Sequence, residues 1–274
     1  MRLALAQLAA TPDRDANLAK ALDAMDRAAD GGAEVIAFPE LAIDRFFPQS
    51  RGNDRARALA EPLPGPITEA VRRKAAERSL VTVFNFYEQG RNDDLFDSSP
   101  VFDADGSLLG STRMIHITDY EGFHEQDYYT PGDHGAPVYQ TRAGRIGVAI
   151  CYDRHFPEYM RALGTAGAEL VVIPQAGTVG EWPEGLYEAE VRVAAFQNGY
   201  FAALCNRVGR EDRLDFAGES FAVDPEGRVL ARGKAGEEDL VLVDLDLEQC
   251  KTSTAQRLFW RHRRPELYPR WLGS

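Results

Sequence analysis

Lysine is scarce in this chain: only Lys20, Lys74, Lys234 and Lys251 occur, and every other cation is arginine. Basic residues are outnumbered, 31 against 43 acidic, for a net charge of −12. No basic stripe interleaved with aromatics is present, and an acidic surface repels phosphate backbones, so nucleic acid is not an expected partner. No apolar run approaches the ~20 residues of a membrane-crossing helix, so no membrane partner is expected either. The opening segment "MRLALAQLAATPDRD" turns polar too soon for a signal peptide and reads as a first strand. Cysteine is also sparse. Cys151, Cys205 and Cys250 form no close pair and no metal-type spacing, which fits a reducing, cytoplasmic setting. Repeats and low-complexity linkers are missing.

What is present is ordinary for a globular domain: 274 residues, 44% apolar and 27% charged. Apolar strands alternate with helices and hairpins. "RLALAQLAA" and "AEVIAFPE" read as strands around a helix with Leu18, Leu22, Met25 and Ala29 on one face. A second helix starts at Pro66, followed by a strand "LVTVFNFYEQ". "SSPVFDADGSLLGSTRMIHI" and "GESFAVDPEGRVLAR" read as hairpins, turning at Asp105-Gly106 and near Pro225–Gly227. "GRIGVAIC", "AELVVIPQAG", "YFAALCNRVG" and "DLVLVDLDL" are further strands, with helices "PEYMRALGTAG" and "LYEAEVRVAAFQNG" between them. This alternation predicts one α/β domain over 1–274 with mixed sheets and outer helices; residues 250–274 form an aromatic, basic tail.

Three positions invite chemistry. Glu40 follows the apolar run "VIAFP", where a carboxylate is costly unless compensated. Cys151 ends "GRIGVAIC". Glu125 lies in the aromatic loop "EGFHEQDYYTPGD". Two have a plain alternative, a solvated loop glutamate for Glu40 and a small core side chain for Cys151, and Glu125 taken alone carries no signal. Ligands in α/β sheets collect beyond strand carboxyl ends. A thiol there, ahead of a helix near Pro157, is expected to feel N–H groups that favour thiolate. A neighbouring glutamate could take the thiol proton and return it to a leaving group. His155 reads as helix-start surface rather than a partner for the thiol.

Four segments in this order, "AFPELAI", "GRIGVAICYDRHFPE", "NRVG" and "RRPELY", resemble the nitrilase superfamily of carbon–nitrogen hydrolases, from Arg2 to about Tyr268. The resemblance implies a four-layer α-β-β-α sandwich, no metal or organic cofactor, and subunits that pair as homodimers or larger assemblies, with the C-terminal tail joining the interface. It implies Cys151 as nucleophile, Glu40 as general base, Glu125 as a substrate-positioning glutamate, and the backbone N–H of Tyr152 as an oxyanion donor. The implied reaction is attack on an amide or carbamoyl carbon, loss of ammonia or amine, and hydrolysis of a thioester.

One position departs from the family pattern. In "STRMIHI", Met114 stands where the resemblance expects the catalytic lysine. A thioether carries neither charge nor a proton to donate. Strand alternation sets Met114 and His116 on one face and Arg113 on the other. Three arrangements are compatible: a site that binds without turnover, a different donor such as Arg113 or a charged substrate group, or another register. Among family branches, "GTVGEWPEGLYEAEVRVAAFQNGYFAALCNRVG" is similar to N-carbamoyl amidohydrolases, including the β-ureidopropionase and N-carbamoylputrescine amidase types, and of these a carboxylated N-carbamoyl compound is expected over a polyamine. Glu188 and Arg192 in it have the spacing of a solvated helix pair. Arg154, three residues after the thiol, occupies the place that grips a substrate carboxylate in N-carbamoyl-amino-acid hydrolases, a task suited to a guanidinium fork; a structural pair with Asp153 or Glu158 is the alternative. Trp182 and Tyr187 are expected at a pocket rim or in packing, Cys205 in the core and Cys250 away from the site. The small-molecule hydrolase therefore has a rival from another class: a non-catalytic binding or scaffolding protein on the same fold.

Overall fold

A computed structural model describes residues 1–52 and 54–272. In chain order the strands are β1 (Arg2–Gln7), β2 (Val35–Ala37), β3 (Val81–Val83), β4 (Phe86–Gln89), β5 (Leu95–Phe102), β6 (Leu108–Arg113), β7 (Asp119–Tyr120), β8 (Phe123–His124), β9 (Val138–Thr141), β10 (Gly144–Val148), β11 (Leu170–Gln175), β12 (Phe201–Asn206), β13 (Val208–Glu211), β14 (Leu214–Ala217), β15 (Phe221–Val223), β16 (Val229–Arg232) and β17 (Asp239–Asp244). The helices are α1 (Arg14–Asp30), α2 (Asp54–Arg57), α3 (Pro66–Arg78), α4 (Pro157–Thr165), α5 (Leu186–Asn198), α6 (Glu248–Thr252) and α7 (Tyr268–Leu272).

Two mixed sheets face each other. One has the order β17-β1-β2-β3-β5-β4, with β6 paired to β5; the other runs β16-β15-β12-β11-β10-β9. Within the first, β1, β2 and β3 are parallel while β17 and β5 join antiparallel. Within the second, β10, β11 and β12 are parallel. Leu3, Leu5, Val35, Val83 and Val101 of one sheet meet Ile146, Val148, Leu170, Val172 and Ala203 of the other in a single apolar layer. Outside the first sheet, Ala21, Ala24, Met25 and Ala28 of α1 and Ile67, Val71 and Ala75 of α3 pack on Ala4, Ile36 and Phe84. Outside the second, Met160 and Leu163 of α4 and Val191 and Ala195 of α5 pack on Val171, Ile173 and Ala202. The layering is α-β-β-α, as the resemblance implied, because each sheet is apolar on both faces and needs a cover on each.

Several boundaries differ from the sequence reading. The strand read through "LVTVFNFYEQ" is broken between β3 and β4, where buried Asn85 turns its amide to neighbouring groups. The first hairpin starts at Leu95 rather than Ser98 and stops at Arg113, just short of Met114. An unread hairpin, β13–β14, follows β12. On α1 the buried stripe is Asn17, Ala21, Ala24, Met25 and Ala28, with Leu18 and Leu22 only partly buried beside it.

Candidate active site

Three chain turns at strand ends build the site. After β2, Pro39 leads into buried Glu40, and Leu41 takes a left-handed backbone with φ 47°. That turn is pinned from two sides. Leu41 N–H donates to Asn85 Oδ1 at 2.6 Å, and Arg207 Nη1 donates to the carbonyls of Glu40 and Leu41 at 2.8 and 2.6 Å. After β10, Cys151 opens a single 3-10 turn, Cys151–His155, with φ 42°. After β8, Glu125 begins another, Glu125–Asp127, and its carbonyl accepts from Tyr128 and Tyr129 N–H.

The result brings Glu40, Glu125 and Cys151 together: a carboxylate oxygen of each glutamate and the sulfur lie within 4.8 Å of one another. Both glutamates are 0% exposed and Cys151 is 5% exposed. Neither carboxylate has a hydrogen bond of good geometry. Among the described residues this trio is also the group whose atoms could hold a metal ion.

Burial without compensation sets the protonation states. Burial, and then the Glu125 carboxylate, push Glu40 up to about 8. Glu125 is raised well above the usual carboxylate range by burial and by Asp97. The Cys151 thiol is likewise raised, by burial first and then by the two glutamates. This corrects the expectation of a thiolate favoured by a helix terminus. Helix α4 begins only at Pro157, six residues after Cys151, and the two glutamates outweigh the nearby Arg154 cation. At rest the sulfur is a thiol, and a base must take its proton during attack.

The sulfur has one good hydrogen bond, from Gln175 Nε2 at 3.2 Å at the end of β11. Gln175 Oε1 accepts from Arg154 Nη1 at 2.8 Å, and that same nitrogen donates to the Cys151 carbonyl at 2.9 Å. Arg154 does not pair with Asp153 or Glu158. Its Nε lies 3.4 Å from Glu190, its guanidinium stands 4.4 Å from the Tyr187 ring centre, and its Nη2 is buried without a partner. Asp153 instead accepts from the His116 ring at 2.7 Å and from the N–H groups of Ile115 and His116, tying the Cys151 turn to the segment after β6. Tyr152, next in that turn, is half-buried against the inter-sheet core. His155 is not free surface: its Nδ1 lies 2.7 Å from Glu190 and its ring packs against Tyr152 and Trp182.

Met114 is 0% exposed and belongs to the same inter-sheet layer as Cys151. Its N–H donates to the Asp97 carbonyl and its own carbonyl accepts from Gly132 N–H at 2.7 Å. A Cβ on residue 132 would lie 2.4 Å from the Arg113 carbonyl, so only glycine allows this approach. Arg113 is not an alternative donor: Glu88 at 2.5 Å and Asp133 at 3.0 Å hold it, over the Phe96 ring. The four lysines pair elsewhere, Lys20 with Glu238, Lys74 with Asp26, Lys234 with Glu237 and Lys251 with Glu248.

Sequence reasoning missed four supporting residues: Asn85, Asp97, Gln175 and Arg207. Arg207 had a signal, its place in "NRVG"; the other three had none. At the outer edge, on the Cys151 side of the molecule, Tyr120 and Tyr187 hydroxyls both donate to Glu181. Trp182 and Tyr187 line a surface cavity of about 680 Å³. Cys205 is fully buried, and Cys250 is buried on the same inter-sheet layer, 3.4 Å from the Glu169 carbonyl. No helix among the described residues is long and apolar enough to cross a membrane.

A two-sheet sandwich with a buried thiol and two carboxyls beyond its strand ends defines a thiol-bearing hydrolase type of site. The chain belongs to the carbon-nitrogen hydrolase family, whose profile matches residues 2–254. It is similar to an N-carbamoylputrescine amidase of Solanum lycopersicum, 33% identical over 97% of this chain and 93% of that protein. It is also 30% identical to a citrullinase of Francisella tularensis, over 98% and 96% of the two chains. A carbon-nitrogen hydrolase from Helicobacter pylori G27 superposes with a TM-score of 0.93 at 26% identity, covering 100% and 98%. An amidase from Nesterenkonia sp. AN1, in a mutant form showing Michael addition of acrylamide at its active site cysteine, superposes with a TM-score of 0.84 at 27% identity, covering 99% of each chain.

Proposed function

We propose that the chain hydrolyses an amide or N-carbamoyl group through a thioester on Cys151. The observation that carries this reading is the meeting of the two glutamate oxygens and the sulfur within 4.8 Å. As sulfur bonds to the carbonyl carbon, the S–H proton passes to Glu40 and the carbonyl π pair moves to oxygen. The Tyr152 backbone N–H serves the oxyanion. Collapse expels ammonia or an amine, which takes the proton from Glu40. Water then attacks the thioester carbon as Glu40 takes its proton; the C–S bond breaks, the acid leaves and Glu40 returns the proton to the Cys151 sulfur, with Glu125 positioning the substrate.

For the substrate, the reading is an N-carbamoyl amino acid or similar carboxylated amide. Arg154 supports it: the guanidinium is rigidly held near the thiol, with a buried Nη2 still lacking a partner. Glu181 supports a second reading. Set beside Tyr120 and Tyr187, it suits a cationic tail, and the relatives named N-carbamoylputrescine amidase are consistent with that. Turnover of N-carbamoyl amino acids against N-carbamoylputrescine separates the two: a preference for the cationic compound overturns the Arg154 reading. The scaffold alternative is tested by intact mass spectrometry. An acyl or carbamoyl adduct on Cys151 that decays with ammonia release is expected. No adduct from any amide, nitrile or carbamoyl compound would favour a non-catalytic binding protein.

The assembly reading is a homodimer. Val193 on α5 and Leu258 and Trp271 in the tail are exposed apolar side chains at 51%, 61% and 68%. Sedimentation of the intact chain and of a tail-truncated chain checks it. Three free thiols support a cytoplasmic setting.

A further inference from the structure

Gln175 closes strand β11 and is 1% exposed. By strand alternation it continues the face of Val171 and Ile173, an apolar face covered by α4 and α5. A primary amide buried there is costly unless its polar atoms are bonded. Both are: Oε1 accepts from Arg154 Nη1 at 2.8 Å, and Nε2 donates to the Cys151 sulfur at 3.2 Å. The same Arg154 nitrogen donates to the Cys151 carbonyl at 2.9 Å, so sulfur, amide, guanidinium and carbonyl close a ring around the thiol. The ring fixes which way the amide faces. A guanidinium only donates, so the amide oxygen must turn to Arg154 and the N–H to sulfur. Glu190 and the Tyr187 ring hold the guanidinium in turn. The two glutamates beside the sulfur cannot replace this bond, because an ionised carboxylate has no proton to give.

We propose that Gln175 is a catalytic residue whose amide N–H receives the negative charge that gathers on the Cys151 sulfur, and that Arg154 is the positioning residue that aims it. This rests on Cys151 being the nucleophile. A thiol or thioester sulfur is a weak acceptor, and a hydrogen bond to an ionised group is much stronger. The bond therefore gains strength where charge appears, and charge appears twice. In attack, the S–H bond breaks toward Glu40 as the S–C bond forms. In the last step, the C–S pair returns to sulfur before Glu40 gives back the proton. The N–H already points at sulfur, so neither moment requires reorganisation. The ring also limits how a substrate is held. Arg154 Nη1 is committed to the Cys151 carbonyl and to Gln175, which leaves Nη2, buried and without a partner, to meet a substrate carboxylate.

Alkylation of Cys151 by iodoacetamide, followed by peptide mass spectrometry, reads the sulfur without a substrate. At pH ~7, Gln175→Met, of similar size and without a donor, should slow it about tenfold, the weight of one hydrogen bond to an ionised group. Gln175→Glu keeps an acceptor for Arg154 but offers the sulfur no N–H, and should be slower still. The NMR signals of the Gln175 side-chain N–H should move on Cys151→Ala. They should also move in Arg154→Met, which frees the amide to turn, and hold their place in Arg154→Lys, which like arginine can only donate. A Gln175→Glu rate equal to wild type assigns Gln175 to filling space and supporting Arg154, and overturns the proposal; so does a Gln175 signal unmoved by loss of the sulfur. Equal movement in the two Arg154 variants removes Arg154 from the aiming role. Should Gln175→Met not fold, Gln175→Glu and the N–H signals still decide. With a substrate, Gln175→Met should lower kcat about tenfold and leave KM within about twofold. If no substrate is ever turned over, the hydrolase reading fails while alkylation and the N–H signals still decide the role of Gln175.

Discussion

Buried charge is handled in two opposite ways a few residues apart. Around Arg207 the charges pair: the two Nη nitrogens of the guanidinium serve three carbonyls and Glu211, leaving only Nε without a partner, and Glu211 also accepts the Phe46 N–H at 2.7 Å. Around Cys151 the carboxyls of Glu40 and Glu125 meet the sulfur with all four oxygens orphaned, and buried Asp97 leaves one oxygen orphaned as well. The first arrangement fixes the loops after β2 and β12 in place. The second keeps protons mobile. A paired charge stays ionised and is structural; an unpaired one floats near neutrality, where it can take and give a proton.

Breaking the satisfied side should have the largest effect. Arg207→Met leaves Glu211 and three carbonyls without their donor, and should cost about 3–5 kcal/mol in urea unfolding. Next comes Glu40→Gln on the unsatisfied side. The folded value of Glu40 is raised to about 8, above its unfolded value. Its contribution to stability is therefore full below the unfolded value and is lost as pH rises through about 8, at no more than about 1.4 kcal/mol per pH unit. Wild type should lose stability across that window. Glu40→Gln should have a flatter profile and be the more stable protein at pH ~9, as thermal unfolding against pH would show; an unchanged slope counts against a Glu40 carboxyl raised by burial. Met114→Lys makes the two sides alike by adding the cation. It should lower the pH at which activity or thiol alkylation rises by about one unit, a roughly tenfold gain at pH ~7. The smallest effect belongs to Arg192, which meets Glu188 at 3.0 Å and the Gly227 carbonyl at 2.7 Å on a half-exposed surface: Arg192→Ala should change stability by no more than about 1 kcal/mol.

The satisfied and unsatisfied regions were not equally readable from the sequence. Glu40 and Cys151 end long apolar runs, so their odd chemistry stands out against the pattern, and the segment around Cys151 carries a family resemblance. Glu125 was readable only through that resemblance. Asp97 was invisible because "LFDSSPVF" looks half polar, yet all eight residues of β5 are buried. No periodicity announces a carboxyl, two serines and a proline inside a sandwich; only the third dimension shows Asn85 across from them. Gln175 was hidden in the same way, as the polar end of an apolar strand. The Cys151 environment was misjudged for a related reason. A helix start is visible along the chain, but the charges that outweigh it arrive from β2 and β8, far away in sequence.

The left-handed backbone of Cys151, with φ 42°, bears on whether the thiol is a relic. Any side chain other than glycine is strained there, by about 1 kcal/mol or more. A chain with no use for sulfur would be sturdier with a bare backbone at that corner. Retaining a thiol at this dihedral weakens the native state, a sacrifice that makes sense where the atom reacts rather than merely fills space.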